Sequence, residues 1–128
     1  MPRKAQIFNI HDLERYDEEP LTNVFLFREE EFWACILYFR PGQVLRRHSH
    51  EHEHEVFDVL AGHGTIWLDG EAVQTRPGDV IFVPAGVEHG FENTGDEPWI
   101  IRATIHERTY ARQALQRAVL KRLGKLER

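Results

Sequence analysis

The residues best suited to chemistry lie in one short segment, His48-Ser49-His50-Glu51-His52-Glu53-His54-Glu55, in which four histidines occupy every second position. On an extended strand, side chains two residues apart share one face and lie about 7 Å apart along the chain. His48 and His50 would therefore project to the same side, close enough to bind one metal ion. Glu51 and Glu53 would face elsewhere.

A carboxylate from the following strand is expected to complete this set of ligands. Glu55 stands directly before the apolar run 56–60, where an acidic residue has no role in packing. A strand entered at Glu55 places Glu55, Phe57 and Val59 on one face. The alternative is a solvated loop, because alternating histidine and glutamate is highly soluble. These eight residues alone leave both interpretations open.

Glycine, proline and asparagine residues flank the histidines at spacings that form two motifs. The first is Gly42-x5-His48-x-His50-x4-Glu55-x6-Gly62, and after fifteen further residues the second is Gly78-x5-Pro84-x-Gly86-x2-His89-x3-Asn93. Together they reproduce the two sequence motifs of the cupin superfamily without gaps. Over residues 42–93 the sequence resembles a small single-domain bacterial cupin of the conserved-barrel type.

The resemblance implies both a fold and a metal site. By this resemblance the fold is expected to be all-β, a double-stranded β-helix or jelly-roll barrel; a short α-helix at the C-terminus is predicted separately, from the residue pattern. The metal ligands of the family correspond to His48, His50, Glu55 and His89. Three imidazoles and one carboxylate suit one divalent ion of manganese, iron, nickel, cobalt or zinc, and they leave coordination positions open if the ion is octahedral.

Turn-forming residues recur at short intervals and independently predict an all-β domain. The strand-length segments between them are 32–39, 56–60, 65–68, 80–83 and 99–105. Asp69-Gly70, between two such segments, predicts a two-residue hairpin turn. We expect one domain over 1–128: an N-terminal arm and edge strands at 1–31, a barrel core at 32–106 and a C-terminal helix at 107–128.

The predicted helix begins at Thr109 as N-cap and ends near Gly124. One face carries apolar residues at helical spacing, namely Ala111, Leu115, Ala118, Val119 and Leu123. This face is expected to close the domain.

The remaining histidines have weaker claims to a role in the site. His52 would stay in phase with His50 if the strand continued, which makes it an alternative ligand. Otherwise His52 and His54 lie in the connection to Glu55, either solvated or tuning the ligands. His63 is expected at the surface, and His11 and His106, which have no partner in the sequence, are expected to have no role in the site.

Other side chains that could face the site follow from strand parity. Phe57 and Phe91 share faces with Glu55 and His89, so the wall beside the metal is expected to be aromatic and apolar. The last strand can be threaded with Arg102 inward, as a clamp for a substrate carboxylate, or with its apolar residues inward, which hydrophobicity favours. Tyr38 and Arg40 are similar candidates for a substrate contact.

Composition limits the possible partners and location. The net charge is −5, with nineteen acidic against nine basic residues in 1–106, so we expect no nucleic-acid partner. The chain has no apolar run long enough to span a bilayer and no apolar segment after its basic start, so we expect a cytoplasmic protein without a membrane partner. The single cysteine, Cys35, is expected in the core. Residues 24–27 are apolar enough to pair with a neighbour's sheet edge, which favours a homodimer.

The function predicted from these features is metal-dependent chemistry on a small-molecule substrate or ligand. We expect an oxidoreductase of dioxygenase type acting on a small oxygen-rich organic molecule, with His52 or His54 as the nearest imidazole able to act as a base. The alternatives are a non-redox isomerase and a non-catalytic protein that binds a metal or a small molecule. The sequence leaves open whether the protein is an enzyme and which residues would be catalytic.

Overall fold

The computed structural model describes the backbone of residues 3–107 and 109–124 and the side chains of 3–107 and 116–124. The elements in chain order are β1 Thr22–Arg28, β2 Phe32–Phe39, β3 Val44–His48, β4 Glu53–Ala61, β5 Thr65–Leu68, β6 Glu71–Gln74, β7 Val80–Val83, β8 His89–Glu92, β9 Trp99–Glu107 and α1 Thr109–Arg122. Two antiparallel sheets result, one of five strands in the order β1-β2-β9-β4-β7 and one of four in the order β3-β8-β5-β6.

The core lies between the two sheets and is built from the inward-facing residues of each strand. In β4, Glu55, Phe57 and Val59 are buried at alternate positions, as their parity predicts. Phe57 meets Phe91 from the opposite sheet with ring centroids 4.8 Å apart. A tightly packed apolar floor therefore lies directly beneath Glu55.

The last strand, β9, presents its apolar side to the core. The inward residues are Trp99, Ile101, Ala103 and Ile105, all nearly inaccessible to solvent. Arg102 lies on the outer face, where its guanidinium donates to the Asp58 carboxylate at 3.0 Å. The threading favoured by hydrophobicity is correct, and the alternative of Arg102 as a substrate clamp is wrong.

A second apolar cluster covers the outer face of the five-stranded sheet. Ile36 and Tyr38 of β2 are buried there against Ile10 and Tyr16 of the N-terminal arm. The Tyr38 hydroxyl donates to the Ile10 carbonyl at 2.6 Å, so it holds the arm in place. Tyr38 therefore faces away from the site, and Arg40, beyond the end of β2, is exposed. Neither is the substrate contact proposed from the sequence.

The predicted hairpin and helix are both present. Asp69 and Gly70 have φ angles of 49° and 85° and connect β5 directly to β6, as a two-residue turn requires. Helix α1 ends before Gly124, which has a φ angle of 71° and donates its N–H to the Lys121 carbonyl.

The described part of the predicted apolar helix face is exposed to solvent. Val119 and Leu123 are 49% and 62% exposed, so this part of the face does not close the barrel. The side chains of Thr109, Ala111 and Leu115 lie outside the described residues. Within the described ranges, no helix is both long and apolar enough to cross a membrane.

Candidate metal centre

His48 reaches the site through an irregularity in strand pairing. Leu45 pairs with Phe91 and His48 with His89, so β3 carries one more residue than β8 over this stretch. Such a bulge re-aims the side chains beside it. Gly90 accommodates the bulge, because a Cβ at this position would lie 3.1 Å from both the Cα and the N of Arg47. The close approach of these two backbones fixes the position of His48.

The turn of the second motif positions the residues of the first. His50 lies just beyond β3, in the connection 49–52, rather than on the strand itself. The Gly86 N–H donates to the His50 carbonyl at 2.8 Å, and the Ala85 N–H donates to His54 Nδ1 at 2.9 Å. The two motifs therefore meet in space. At the end of the second motif, the Asn93 side-chain amide donates to the carbonyls of Phe39 and Glu97.

The structure brings the four predicted ligands together. A ring nitrogen from each of His48, His50 and His89 lies within 4.8 Å of the other two. Glu55 Oε1 is 3.1 Å from His50 Nε2 and 3.5 Å from His89 Nε2. Three imidazoles and one carboxylate thus converge on one small volume at the end of the barrel core.

Two of the imidazoles are held in the tautomer that metal binding requires. His48 Nδ1 lies 2.7 Å from the Arg46 carbonyl, and His89 Nδ1 lies 3.0 Å from the Val87 carbonyl. A carbonyl only accepts hydrogen bonds, so each neutral ring carries its proton on Nδ1. The lone pair of each ring is therefore on Nε2 and free to bind an ion.

Buried polar atoms without partners mark the centre of the cluster. Glu55 Oε1 and His89 Nε2 are both buried, and neither has a hydrogen-bond partner of acceptable geometry. A third such atom, Trp99 Nε1, belongs to a ring that does not line the cavity beside the cluster. Leaving a buried polar group unsatisfied costs about 1–3 kcal/mol, and more for a charged group. A cation placed among these atoms would satisfy both, so the donor set fits a divalent metal ion.

The electrostatics of His89 reflect the same arrangement. Burial disfavours the charged form of this histidine. The Glu55 carboxylate and the Val87 carbonyl outweigh burial, and together they raise the pKa of His89 above its ordinary value. The site therefore favours positive charge at this position, which is the charge that a metal ion would supply.

Glu53 is part of the site, contrary to the sequence-based expectation that it faces elsewhere. Its carboxylate is 3.5 Å from His50 Nδ1, and Glu53 forms a second possible donor group with His50 and Glu55. The prediction failed because it extended the parity of β3 through the connection 49–52. Strand β4 begins at Glu53, so Glu53 shares a face with Glu55. Counting back from Glu55 would have found it.

His52 and His54 do not join the cluster. His52 lies in the connection, with Nε2 3.7 Å from the Glu51 carboxylate at the surface. His54 lies within β4, not in the connection as predicted, and its side chain is on the face opposite Glu55. There it stacks on His106, with ring centroids 6.4 Å apart. The assignments of His52 as a ligand and of either residue as the base are therefore wrong. His63 is exposed, as predicted, and so are His11 and His106.

A cavity of about 250 Å³ opens beside the four ligands, and its walls are largely aromatic and aliphatic. Phe57 and Phe91 line it, as predicted from their parity with Glu55 and His89. Cys35 is buried, as expected, and it also lines this cavity. Burial, with a smaller contribution from the negative charge of Glu55, raises the pKa of the Cys35 thiol to about 11. The thiol is therefore neutral near pH 7.

Comparison with known proteins places this architecture in a family. A family model described as "Cupin domain" matches residues 35–104. The oxalate-binding protein of Thermotoga maritima is 39% identical over 56 residues, which are 44% of this chain and 46% of that protein. The quercetin 2,3-dioxygenase of Bacillus subtilis is 43% identical over 50 residues, which are 39% of this chain and 15% of that enzyme.

The chain thus spans less than half the length of these two relatives. A solved structure from Klebsiella pneumoniae, described as having a double-stranded beta-helix domain, superimposes with a TM-score of 0.76 at 20% identity. The match covers 83% of this chain and 93% of that one. With the family match extending over more than half of its length, this chain belongs to the cupin superfamily and has the double-stranded β-helix fold.

Proposed function

We propose that this chain binds one divalent metal ion through His48, His50, Glu55 and His89 and uses it as a metal-dependent oxidoreductase of dioxygenase type. The observation that carries the proposal is the pair of buried, unpartnered atoms Glu55 Oε1 and His89 Nε2, 3.5 Å apart and flanked by two further imidazoles. Manganese, iron, nickel, cobalt and zinc all accept this donor set. The substrate is a small oxygen-rich organic molecule.

The side chains around the ligands have separate tasks in this proposal. The Arg46 and Val87 carbonyls fix the tautomers of His48 and His89. Glu53, about one-quarter exposed, offers a carboxylate oxygen to a substrate hydroxyl at the edge of the cavity. The apolar walls exclude water from the reacting molecule. When bound, the ion supplies Lewis acidity and, in the case of iron or manganese, electron exchange with O2.

A dioxygenase reaction is compatible with what the site contains. O2 is the only oxidant needed, and both of its atoms enter the organic product. Nucleophilic catalysis by the cysteine is disfavoured, because the buried thiol of Cys35 has a raised pKa and is a poor nucleophile at neutral pH. The similarity to a quercetin 2,3-dioxygenase supports the same reaction class.

Oxygen uptake tests the reaction class directly. Protein purified and reconstituted anaerobically with Fe(II) or Mn(II) is mixed with a panel of vicinal diols, enediols and keto acids in an oxygen electrode. We expect one O2 consumed for each substrate molecule converted, and none with the His50→Ala variant. Tightly bound native zinc, with no uptake after either reconstitution across the panel, would contradict the dioxygenase assignment. An isomerase or a binding protein would then be the better description.

We also propose that the chain forms a homodimer through its β1 edge. Strand β1 is the terminal strand of the five-stranded sheet, so one row of its backbone groups has no strand partner in the described chain. Such edges readily pair with a second sheet. Light scattering at micromolar concentration should give twice the chain mass, and a monomeric mass would contradict the proposal.

A further inference from the structure

The cavity beside the metal ligands has a distinctive charge composition. Among the described residues, the acidic side chains that line it are Glu53 and Glu55, and no lysine or arginine lines it. A divalent ion would balance these two carboxylates. No surplus positive charge would then remain for an anionic ligand.

The arginines on the surrounding strands, Arg28, Arg46, Arg47 and Arg102, do not line the cavity. Arg28 of β1 lies over the Trp33 ring, 4.7 Å from its centroid. Arg47 of β3 lies over the Trp67 ring at 5.1 Å, and Arg102 of β9 pairs with Asp58 on the outer face. A carboxylate or phosphate on a part of the ligand that does not reach the metal ion would therefore lie in the cavity without a cationic side chain to pair with, which is unfavourable.

The walls are suited to a flat apolar molecule. Trp33, Phe57 and Phe91 line the interior of the cavity, and Phe25 of the edge strand β1 lines it while remaining 55% exposed. Aromatic rings stack favourably on one another beyond the effect of buried area. An aromatic ligand would contact Phe25 on the side that lines the cavity.

The volume of the cavity limits the size of the ligand that it can hold. Its volume of about 250 Å³ lies below the ~300–1,000 Å³ of sites for drug-sized ligands. It exceeds the ~150 Å³ apolar cavity that accommodates benzene. One substituted ring fits this space, whereas a molecule of two or three fused rings would extend beyond it.

We infer that the cavity selects an uncharged, single-ring vicinal diol over the same ring carrying a carboxylate or phosphate group. The ring lies against Trp33, Phe57 and Phe91, and its two hydroxyl groups face the four ligands. Asn23 is exposed at the edge of the cavity, at a position where a basic side chain could pair with an anionic group on the ring. The inference rests on the proposed metal site and names its substrate class.

Calorimetry on zinc-loaded protein tests the inference without turnover. The probes are catechol and 3,4-dihydroxybenzoate at one pH, and the zinc content of each sample is measured. We expect catechol to bind about tenfold or more tightly than 3,4-dihydroxybenzoate, because no lysine or arginine lining the cavity would pair with the ring carboxylate. Equal or tighter binding of 3,4-dihydroxybenzoate to zinc-loaded protein would overturn the inference alone. Protein that fails to take up zinc would overturn both the inference and the proposed function.

Asn23→Arg provides a gain-of-function test. A guanidinium at this edge position should improve binding of 3,4-dihydroxybenzoate about tenfold and leave zinc content unchanged. Gln74→Arg is the matched control, because it adds the same charge at an exposed position of β6 that does not line the cavity. Unchanged anion affinity in Asn23→Arg, or an equal gain in Gln74→Arg, would refute the role assigned to Asn23.

Discussion

Gly90 is predicted to control the metal site without being a ligand. It lies between two inward-facing residues of β8, and a Cβ at this position would approach the Cγ of Arg47 to 2.9 Å and its Cα and N to 3.1 Å. The substitution Gly90→Ala therefore forces the Arg47 backbone to move by a few tenths of an ångström. Arg47 immediately precedes His48, so this ligand must move with it.

The expected size of the effect follows from these contacts. Overpacking against backbone atoms destabilises a protein by about 1–3 kcal/mol. Disturbing the groups that orient a metal ligand lowers metal affinity about 10- to 100-fold. We therefore expect Gly90→Ala to fold, to melt a few degrees lower and to bind zinc at least about tenfold more weakly.

Two further variants separate the backbone contact from the side-chain contact. Arg47→Ala removes the guanidinium that lies over Trp67 but should leave zinc affinity unchanged. The double variant Gly90→Ala/Arg47→Ala should remain as weak as Gly90→Ala, because the contacts at 3.1 Å involve backbone atoms. The assay is zinc competition against a fluorescent chelator, with melting followed by circular dichroism. Wild-type affinity and an unchanged Tm in Gly90→Ala would refute this reasoning.

Three further predictions concern single side chains. Native Cys35 should react with iodoacetamide at pH 8 at least about 100-fold more slowly than the unfolded protein, because burial raises its pKa to about 11; comparable rates would contradict its placement. Metal affinity should decrease as the pH is lowered, and the decrease should begin above pH 6.5, because protons compete for Nε2 of His89, whose pKa is raised. A metal affinity that stays constant between pH 8 and pH 6 would contradict this. Glu53→Gln should keep one zinc ion per chain but lower substrate affinity severalfold, whereas Glu51→Gln, at an exposed residue, should change neither; equal effects of the two substitutions would refute the placement of Glu53.

The sequence predicted side-chain positions correctly where one face of a continuous strand is buried. Glu55, Phe57 and Val59 were placed correctly because β4 is continuous and only one of its faces meets the core. Glu53 was misplaced because the phase was counted from His48, where β3 ends, across a connection that resets it. His54 was misplaced for the same reason.

Features that depend on distant segments could not be predicted from local pattern. Tyr38 is buried against an N-terminal arm that has no regular secondary structure over residues 3–9, so no hydrophobic periodicity in the sequence predicts this contact. The bulge at Arg47 arises from pairing between β3 and β8, which are far apart in sequence. The apolar stripe of helix α1 predicted packing, yet its described residues are exposed.

The central claim is that four named residues bind one metal ion, and metal content measured by mass spectrometry tests it most directly. Wild-type protein and the variant His50→Ala/Glu55→Ala are incubated with Mn(II), Fe(II) or Zn(II) under anaerobic conditions, desalted and analysed. The control is His52→Ala/Glu51→Gln, which alters the same segment outside the cluster. The account predicts one ion per chain in wild type and control, and none in the first variant, which should retain its β-sheet circular dichroism. Full occupancy in that folded variant, or no metal in the wild type, would contradict the claim.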